Sequence, residues 1–573
     1  MAASRLPSGN AGAKQRTFQS RMRAETSSSL PSSGSADYDI VVLGGAFSGS
    51  STGLLMKRAM PELRILIVER MAEFNRKVGE STSEVGGCFL TQILQQSNHL
   101  GARQYQKHGL RLWFTKDANT PVDECTEAGP KFQVRLPTFQ LDREIFDTHL
   151  LGEAEKAGCV VRRPATVKSI DLADEGDAPH EIQIRGENGV METVTTRWIV
   201  DGSGKATVLA RKLGFRRELG DEHPTSSAWC RFRNVNDLDS HASRSAHMSL
   251  RKTVWAPRTA ATNHLMGHGW WCWIIPLSDQ TFSAGIVWDR RFFDLPEGPN
   301  LTARLHAHLR SHPIGKLMFD QAEPVEKDTY YYKGLSYHSE KMVGHRWIIT
   351  GDAMGFIDPL YSQGLDYCGH TVYSAVELMK KAFRGECVAE ASADLNTAYP
   401  LSYRRWFEAL YKDKYAYMGD AELMFAAFLM DLACYFIGPV RLVYSDPEYE
   451  WSRMPYDGPI GARFARFMAF YNRRLAHIAT SRRARGAFGR TNTNRIFLVP
   501  GSYTPGPGAL RQLFRGLRIW AGAEIREATA TLLRSPTAAP DTSPQSRQQA
   551  ENQQRQQKDA PTSQPAEAGK SAV

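Results

Sequence analysis

The segment Gly44-Gly45-Ala46-Phe47-Ser48-Gly49, with Gly53 four residues on, is the first in this chain whose residue types could do chemistry. Glycines at this spacing allow a tight turn and close approach of a diphosphate, whose charge meets the free N–H groups of a helix starting there. Ala46 stands where the middle glycine of such a turn belongs, a small departure. Glu69, at the end of the next apolar run, is placed to bind ribose hydroxyls. A second segment is Trp271-Cys272-Trp273-Ile274-Ile275-Pro276: on a strand its two indoles project to one face, and Pro276 ends the run. A third, Phe356-Ile357-Asp358-Pro359-Leu360-Tyr361-Ser362-Gln363-Gly364, leads into a helix with Cys368, Val372, Ala375 and Met379 on one face. N–H groups of Gln363 and Gly364 at the start of that helix form an anion site.

These residues need elements to hold them. Tyr38-Asp39-Ile40-Val41-Val42-Leu43 reads as a short buried strand, residues 47–59 as a helix, and residues 64–69 as a second apolar strand. Strand, glycine turn, helix and strand make a βαβ unit with parallel strands and a right-handed crossover, the start of a dinucleotide-binding α/β core. Trp198-Ile199-Val200-Asp201 runs into Gly202-Ser203-Gly204, and Arg346-Trp347-Ile348-Ile349-Thr350 into Gly351-Asp352-Ala353. Strand-like runs at 271–276 and 282–288 add further sheet, and beyond residue 400 the chain turns helical and aromatic.

The order G-x-(G/A)-x-x-G, D-x-S-G, G-D-A along residues 38–353 resembles the flavoprotein family of para-hydroxybenzoate hydroxylase, geranylgeranyl reductases and flavin-dependent halogenases. Within it, the W-x-W-x-I-P and F-x-x-P-x-x-S-x-G segments resemble the halogenases, over roughly residues 37–400. The resemblance implies FAD, held by Gly44, Ala46, Ser48, Gly49, Glu69, Asp201, Asp352 and Gly364, with Asp352 against its ribityl or pyrophosphate part. It implies that Trp271 and Trp273 keep the organic substrate away from the flavin, and that chloride or bromide sits at Gln363 and Gly364. It also implies a catalytic lysine. Gly79-Glu80-Ser81-Thr82 resembles the family's G-E-(S/A)-(T/L) turn, and the segment from Lys107 to Phe114 resembles the K-x-G-x-x-F form of phenol-type halogenases, with Lys77 a second candidate. Lys107 would meet hypohalous acid and present electrophilic halogen; desolvation lowers the pKa of a buried ammonium and favours that chemistry. One position departs from the tryptophan-type enzymes: Tyr361 stands where they carry a catalytic glutamate. This points away from free tryptophan toward phenols and electron-rich heteroaromatics, whose ring donors stabilise a cationic intermediate, and leaves the general base unassigned.

The implied reaction takes FADH2 from a separate flavin reductase, with O2 and halide, and halogenates a small aromatic substrate, free or tethered to a carrier protein, as in secondary metabolism. Two alternatives stand beside it. One is an FAD-dependent monooxygenase or reductase without halide chemistry. The other is a non-catalytic FAD-binding partner protein using its basic C-terminal face.

Composition narrows the setting. A hydrophobic share of 42 % in 573 residues suffices for a large core. The net charge of +10 gathers in a leader with Arg5, Lys14, Arg16, Arg21 and Arg23, and in Arg473, Arg474, Arg482, Arg483 and Arg485. No reader motif accompanies it, so no nucleic acid is expected. The eight cysteines lie far apart, with no C-x-x-C and no Cys/His spacing suited to zinc. Reduced thiols, no metal and a cytoplasmic protein follow as expectations. The longest apolar stretch, residues 424–444, is broken by Asp431, Gly438, Pro439 and Arg441, which argues against stable membrane insertion.

The expected fold class is α/β, a Rossmann-type FAD-binding core with an inserted mixed or antiparallel substrate sheet, para-hydroxybenzoate hydroxylase-like, plus a helical C-terminal subdomain. The expected order is a disordered leader (1–36), the FAD-binding core (37–400) with its substrate sheet at about 222–340, the helical subdomain (401–535) and a disordered tail (536–573).

Overall fold

The computed structural model describes residues 36–239, 254–445, 449, 451, 457–500 and 507–532. The expected leader, Ala36 excepted, and the expected tail lie outside these residues. The chain divides into two units, Met1–Ala523 and Glu524–Val573, and the sites below lie in the first.

Tyr38–Leu43 is an inner strand of an eight-stranded sheet. It pairs in parallel with Met191–Asp201 on one side and Ile65–Val68 on the other. Parallel pairing continues to Trp347–Ile349 and to Val160–Arg162 at either flank. Ile40, Val41, Val42, Ile65, Leu66 and Ile67 are all fully buried. Continuous apolar runs of this kind are what strands covered on both faces require. An antiparallel hairpin, Thr166–Asp171 with His180–Arg185, adds to the long strand Met191–Asp201. Register matters for function. Leu43 lies opposite Asp201, and Asp201 opposite Ile349, so three strands end level and their turns line one crevice. The carboxyl ends of parallel strands are where such sheets bind nucleotides.

A second, nine-stranded and mainly antiparallel sheet carries Trp270–Pro276 between Thr262–Gly267 and Phe282–Asp289. Beyond the expected span of about 222–340 it takes in Leu110–Phe114, Thr126–Pro130 and Ile496–Val499. Pairing between strands so far apart in sequence leaves no local pattern, which is why the chain alone did not announce it. The strand Ile496–Val499 also interrupts the otherwise helical C-terminal region, whose long helices include Ala389–Trp406, Ala421–Tyr435 and Pro459–Ala484.

Among the described residues one helical stretch, Ala421–Ser445, is long and apolar enough to cross a membrane, with a mean hydropathy of 1.9. Of its apolar window 78 % is buried inside the protein, and the helix breaks at Gly438, just before Pro439. All eight cysteines are unpaired; seven are buried and Cys387 is exposed.

Candidate active site

The crevice is built from close backbone approaches. Gly44 has φ +94°, a left-handed conformation that glycine adopts without strain. A Cβ on Gly49 would stand 1.8 Å from the Gly44 carbonyl oxygen, so the helix Phe47–Ala59 can begin this close to its turn only with glycine there. No side chain caps that helix, half-buried Ala46 being its N-cap and Ser48 lying buried in its first turn. Its first N–H groups therefore suit a diphosphate. Glu69 is buried at the end of the second strand, where Oε2 accepts from Gly45 N at 2.8 Å and Oε1 from Met71 N at 2.9 Å. Asp201 is fully buried and uses its carboxylate on the N–H groups of Ser203 (3.0 Å) and Leu209 (2.7 Å), shaping its own turn. Its carbonyl accepts from Thr350 N at 2.9 Å, which ties in the third turn. In that turn Asp352 is pushed above the usual carboxylate range by burial, against the opposing pull of Arg143.

Arg143 escaped the sequence reading. Its guanidinium pairs with Asp147 at 3.0 Å and lies 6.0 Å from the Phe47 ring centroid. A signal existed. Asp142 caps the helix Arg143–Lys156, so Arg143 is its first residue, where a cation is disfavoured by the helix dipole. A cation kept at that position flags another task. A glycine-walled cradle, an uncapped helix start and an arginine beside a buried aspartate together fit the diphosphate of FAD.

A second cavity, of about 910 Å³ with its mouth included, has Glu84, Lys107, Tyr361, Gln363, Asp431 and Tyr435 in its wall. Lys107 is 3 % exposed, and its Nζ donates to the Thr82 carbonyl at 2.6 Å. Burial pulls its pKa down to about 8, against the upward pull of Glu84 and Asp366. An amine in that range is partly neutral near physiological pH and holds a lone pair for an electrophile. Lys77 is not in this wall. Its ammonium lies 4.8 Å from the Phe74 ring centroid and interacts with Asp147, Arg143 and Glu69, on the dinucleotide side.

Trp271 and Trp273 share a strand face, as expected, with ring centroids 5.9 Å apart. Neither lines the cavity. Trp271 is linked to it by His264, whose ring lies 4.7 Å away and whose pKa falls to about 3 through burial and the charge of Lys107. The Trp271 Nε1 donates to Tyr415 Oη at 3.0 Å, and Tyr415 Oη donates to Asp358 Oδ2 at 2.7 Å, with His223 Nε2 3.2 Å from the same oxygen. This chain fastens the W-x-W-x-I-P strand to the Phe356-to-Gly364 segment. Two stretches that the sequence presents separately become one unit.

The helix Gly364–Phe383 starts with no side-chain cap, and a Cβ on Gly364 would meet nothing within 4 Å. An uncapped start opening onto space is what an anion needs. The Gln363 carboxamide Oε1 accepts from Trp406 Nε1 at 3.0 Å and Tyr411 Oη at 3.3 Å, fixing the residue from the helical region. Asp366, in the first turn, accepts from Ser83 Oγ, from Gly86 N at 2.8 Å and from Tyr435 Oη at 3.2 Å, and burial lifts its pKa to about 7. Sequence reasoning missed Asp366, along with Glu84 and Asp431, because ordinary acids on helices carry no spacing signal.

Comparison with known proteins agrees with this geometry. The chain is 28 % identical over 364 residues to a tetracycline 7-halogenase of Kitasatospora aureofaciens, covering 58 % of this chain and 61 % of that one. It is 27 % identical over 375 residues to a flavin-dependent halogenase of Dictyostelium discoideum, covering 60 % of each. The matched region thus spans about three fifths of the length of these curated relatives. The fold is similar to that of the halogenase PltM, solved in complex with phloroglucinol and FAD, with a TM-score of 0.64 at 18 % identity over 85 % of this chain and 97 % of that one. The brominase Bmp2 gives a TM-score of 0.55 at 20 % identity over 76 % and 99 %. The tryptophan halogenase family model matches residues 114–411, more than half of the chain, and includes both the tryptophan strand and the helix start at Gln363; the chain belongs to that family.

Proposed function

We propose that this chain is an FAD-dependent halogenase that installs chlorine or bromine on an electron-rich, phenolic ring, drawing FADH2 from a separate flavin reductase. The observation that carries the reading is Lys107: a buried, partly neutral amine in the same cavity wall as Gln363, at the uncapped start of a helix.

Gly44, Ala46, Ser48 and Gly49 would hold the cofactor diphosphate at the helix start, with Glu69 toward the ribose and Arg143 and Asp352 beside the third turn. Reduced FAD, when bound, supplies the electrons with which O2 oxidises halide to hypohalous acid. The N–H groups of Gln363 and Gly364 hold the halide. Lys107 Nζ, neutral in a growing share of molecules as pH approaches 8, takes up the electrophilic halogen and faces the ring. Trp271 and Trp273 wall off the approach between the two sites. Leu410, Phe428 and Phe436 give the cavity an apolar lining suited to an aromatic ring, free or presented on a carrier. The family's name does not fix its substrate: Tyr361 lacks the carboxylate of tryptophan-type enzymes, and the similar fold of PltM was solved with phloroglucinol. Eight unpaired cysteines favour a reducing, cytoplasmic setting.

The test is anaerobic photoreduction of the FAD-loaded protein, then mixing with O2 and bromide in the presence of monochlorodimedone. Bromide-dependent halogenation of this trap is the expected result. Peroxide alone, at a rate indifferent to bromide, overturns the reading in favour of a halide-free monooxygenase.

A further inference from the structure

Asp431 lies on the helix Ala421–Tyr435 and is 7 % exposed. Its Oδ2 accepts two hydrogen bonds, from Tyr361 Oη at 2.6 Å and from Lys414 Nζ at 2.6 Å. Lys414 is fully buried, and its ammonium lies 5.4 Å from the Tyr361 ring centroid and 5.5 Å from that of Tyr417. The other carboxylate oxygen, Oδ1, is buried and has no hydrogen-bond partner among the described residues, yet Asp431 lines the cavity that contains Lys107. A buried acceptor left unpaired costs about 1–3 kcal/mol, so its retention in a cavity wall asks for an occupant that supplies the missing donor. The contacts also say what holds the carboxylate ready. Burial raises the pKa of Asp431, the proton affinity a base needs, while Lys414 and Tyr361 pull it back down; the Tyr361 hydroxyl also fixes the orientation of the carboxylate.

We propose that Asp431 is the general base for the phenolic hydroxyl of the substrate, with Lys414 and Tyr361 as its positioning residues. The role rests on the halogenase reading above. A substrate O–H that donates to Oδ1 completes the carboxylate. Hypohalous acid first passes its halogen to Lys107 Nζ with loss of water; as the ring attacks, the nitrogen–halogen bond breaks with its electron pair left on nitrogen, and a carbon–halogen bond forms on the ring. The phenolic proton passes to Oδ1, leaving a neutral dienone in place of a cation. The Lys107 nitrogen takes the ring hydrogen as a proton and is again the free amine, the ring regains its aromaticity, and Asp431 returns the phenolic proton. The sum is ArH and HOX giving ArX and water.

The experiment compares phloroglucinol with 1,3,5-trimethoxybenzene, a ring of matched substitution that has no proton to give, both with bromide and with methionine present to scavenge free hypobromous acid. The readout is the ratio of kcat/KM for the two acceptors. In Asp431→Asn that ratio falls about a hundredfold, the usual worth of a general base. Because Asp431→Asn leaves the Lys414 charge buried without its partner, the pair is also replaced together as Lys414→Met with Asp431→Leu, which removes both charges and keeps the volume apolar. The same fall in ratio is expected there. A ratio unchanged in both variants, whether the two rates fall together or neither falls, overturns the role of Asp431 alone. A wild type that gives no bromide-dependent product from either acceptor, or from monochlorodimedone, overturns the halogenase reading and this role with it.

Discussion

Replacing Lys107 by methionine keeps the length of the side chain and removes a buried ammonium. Burial brings its pKa from 10.5 to about 8. At about 1.4 kcal/mol per pKa unit, the charged form is disfavoured in the folded protein by roughly 3 kcal/mol. Methionine gives up the hydrogen bond to the Thr82 carbonyl, worth about 1 kcal/mol, while the attraction of Glu84 is already contained in the shifted pKa of Lys107. The variant is then about 1–2 kcal/mol more stable than the wild type at neutral pH. With an unfolding entropy of roughly 2 cal/mol/K per residue, that is a rise in Tm of about 1–2 °C for a chain of this size. The unfolded chain keeps the lysine proton up to about pH 10.5 and the folded chain only to about pH 8, so the unfolded state binds more protons in that window. Wild-type stability therefore climbs with pH between the two values, and the advantage of the variant shrinks. Calorimetry of the FAD-free proteins at about pH 7 and about pH 9.5 reads both quantities, while halogenation of phloroglucinol by the FAD-loaded variant falls by roughly a thousandfold with FAD binding retained. A Lys107→Met protein less stable than the wild type at neutral pH, or one whose advantage is the same at both pH values, refutes the argument from burial.

Gly49→Ala puts a methyl group 1.8 Å from the Gly44 carbonyl oxygen, so the purified protein is expected to lack bound flavin, read from its visible absorbance. Asp366 ionises with a pKa of about 7 in the first turn of the proposed halide helix, so the KM for bromide should rise as pH passes above that value, and Asp366→Asn should flatten the rise. Trp271→Phe loses the N–H bond to Tyr415 and frees the indole position from the Asp358 chain; halogenation should fall about tenfold with little change in FAD affinity, measured by fluorescence titration. Cys387 is the one exposed cysteine of the eight, so a thiol reagent should titrate one group in the native protein and all eight after denaturation.

Much of this site is written locally. A glycine turn between an apolar strand and a helix can do few things, and its geometry follows from the residues themselves: the φ of Gly44 and the absent Cβ of Gly49 are properties of single positions. The two-residue alternation that puts Trp271 and Trp273 on one face is equally local, and so is the helix phase that begins at Gly364. Lys107 stood out in the sequence through its resemblance to a family pattern, and the fold adds that it is buried in the wall of a cavity.

What only the tertiary structure decided is which of these segments meet, and in what electrostatic surroundings. No spacing rule connects Trp271 to Asp358 through Tyr415, or Asp366 to Ser83, because each link joins elements far apart in the chain. The strand Ile496–Val499 pairs with Thr126–Pro130 for the same reason without any local trace. Asp431 shows the difference most clearly. In the sequence it is an interruption in an apolar stretch, an argument about membranes. In the fold it is a buried carboxylate in the wall of the cavity of Lys107, with Lys414 and Tyr361 on one oxygen and, among the described residues, no partner on the other. Residue type and period determine an element and its faces; burial, pairing and pKa depend on what the other elements bring to those faces, and that information is not local.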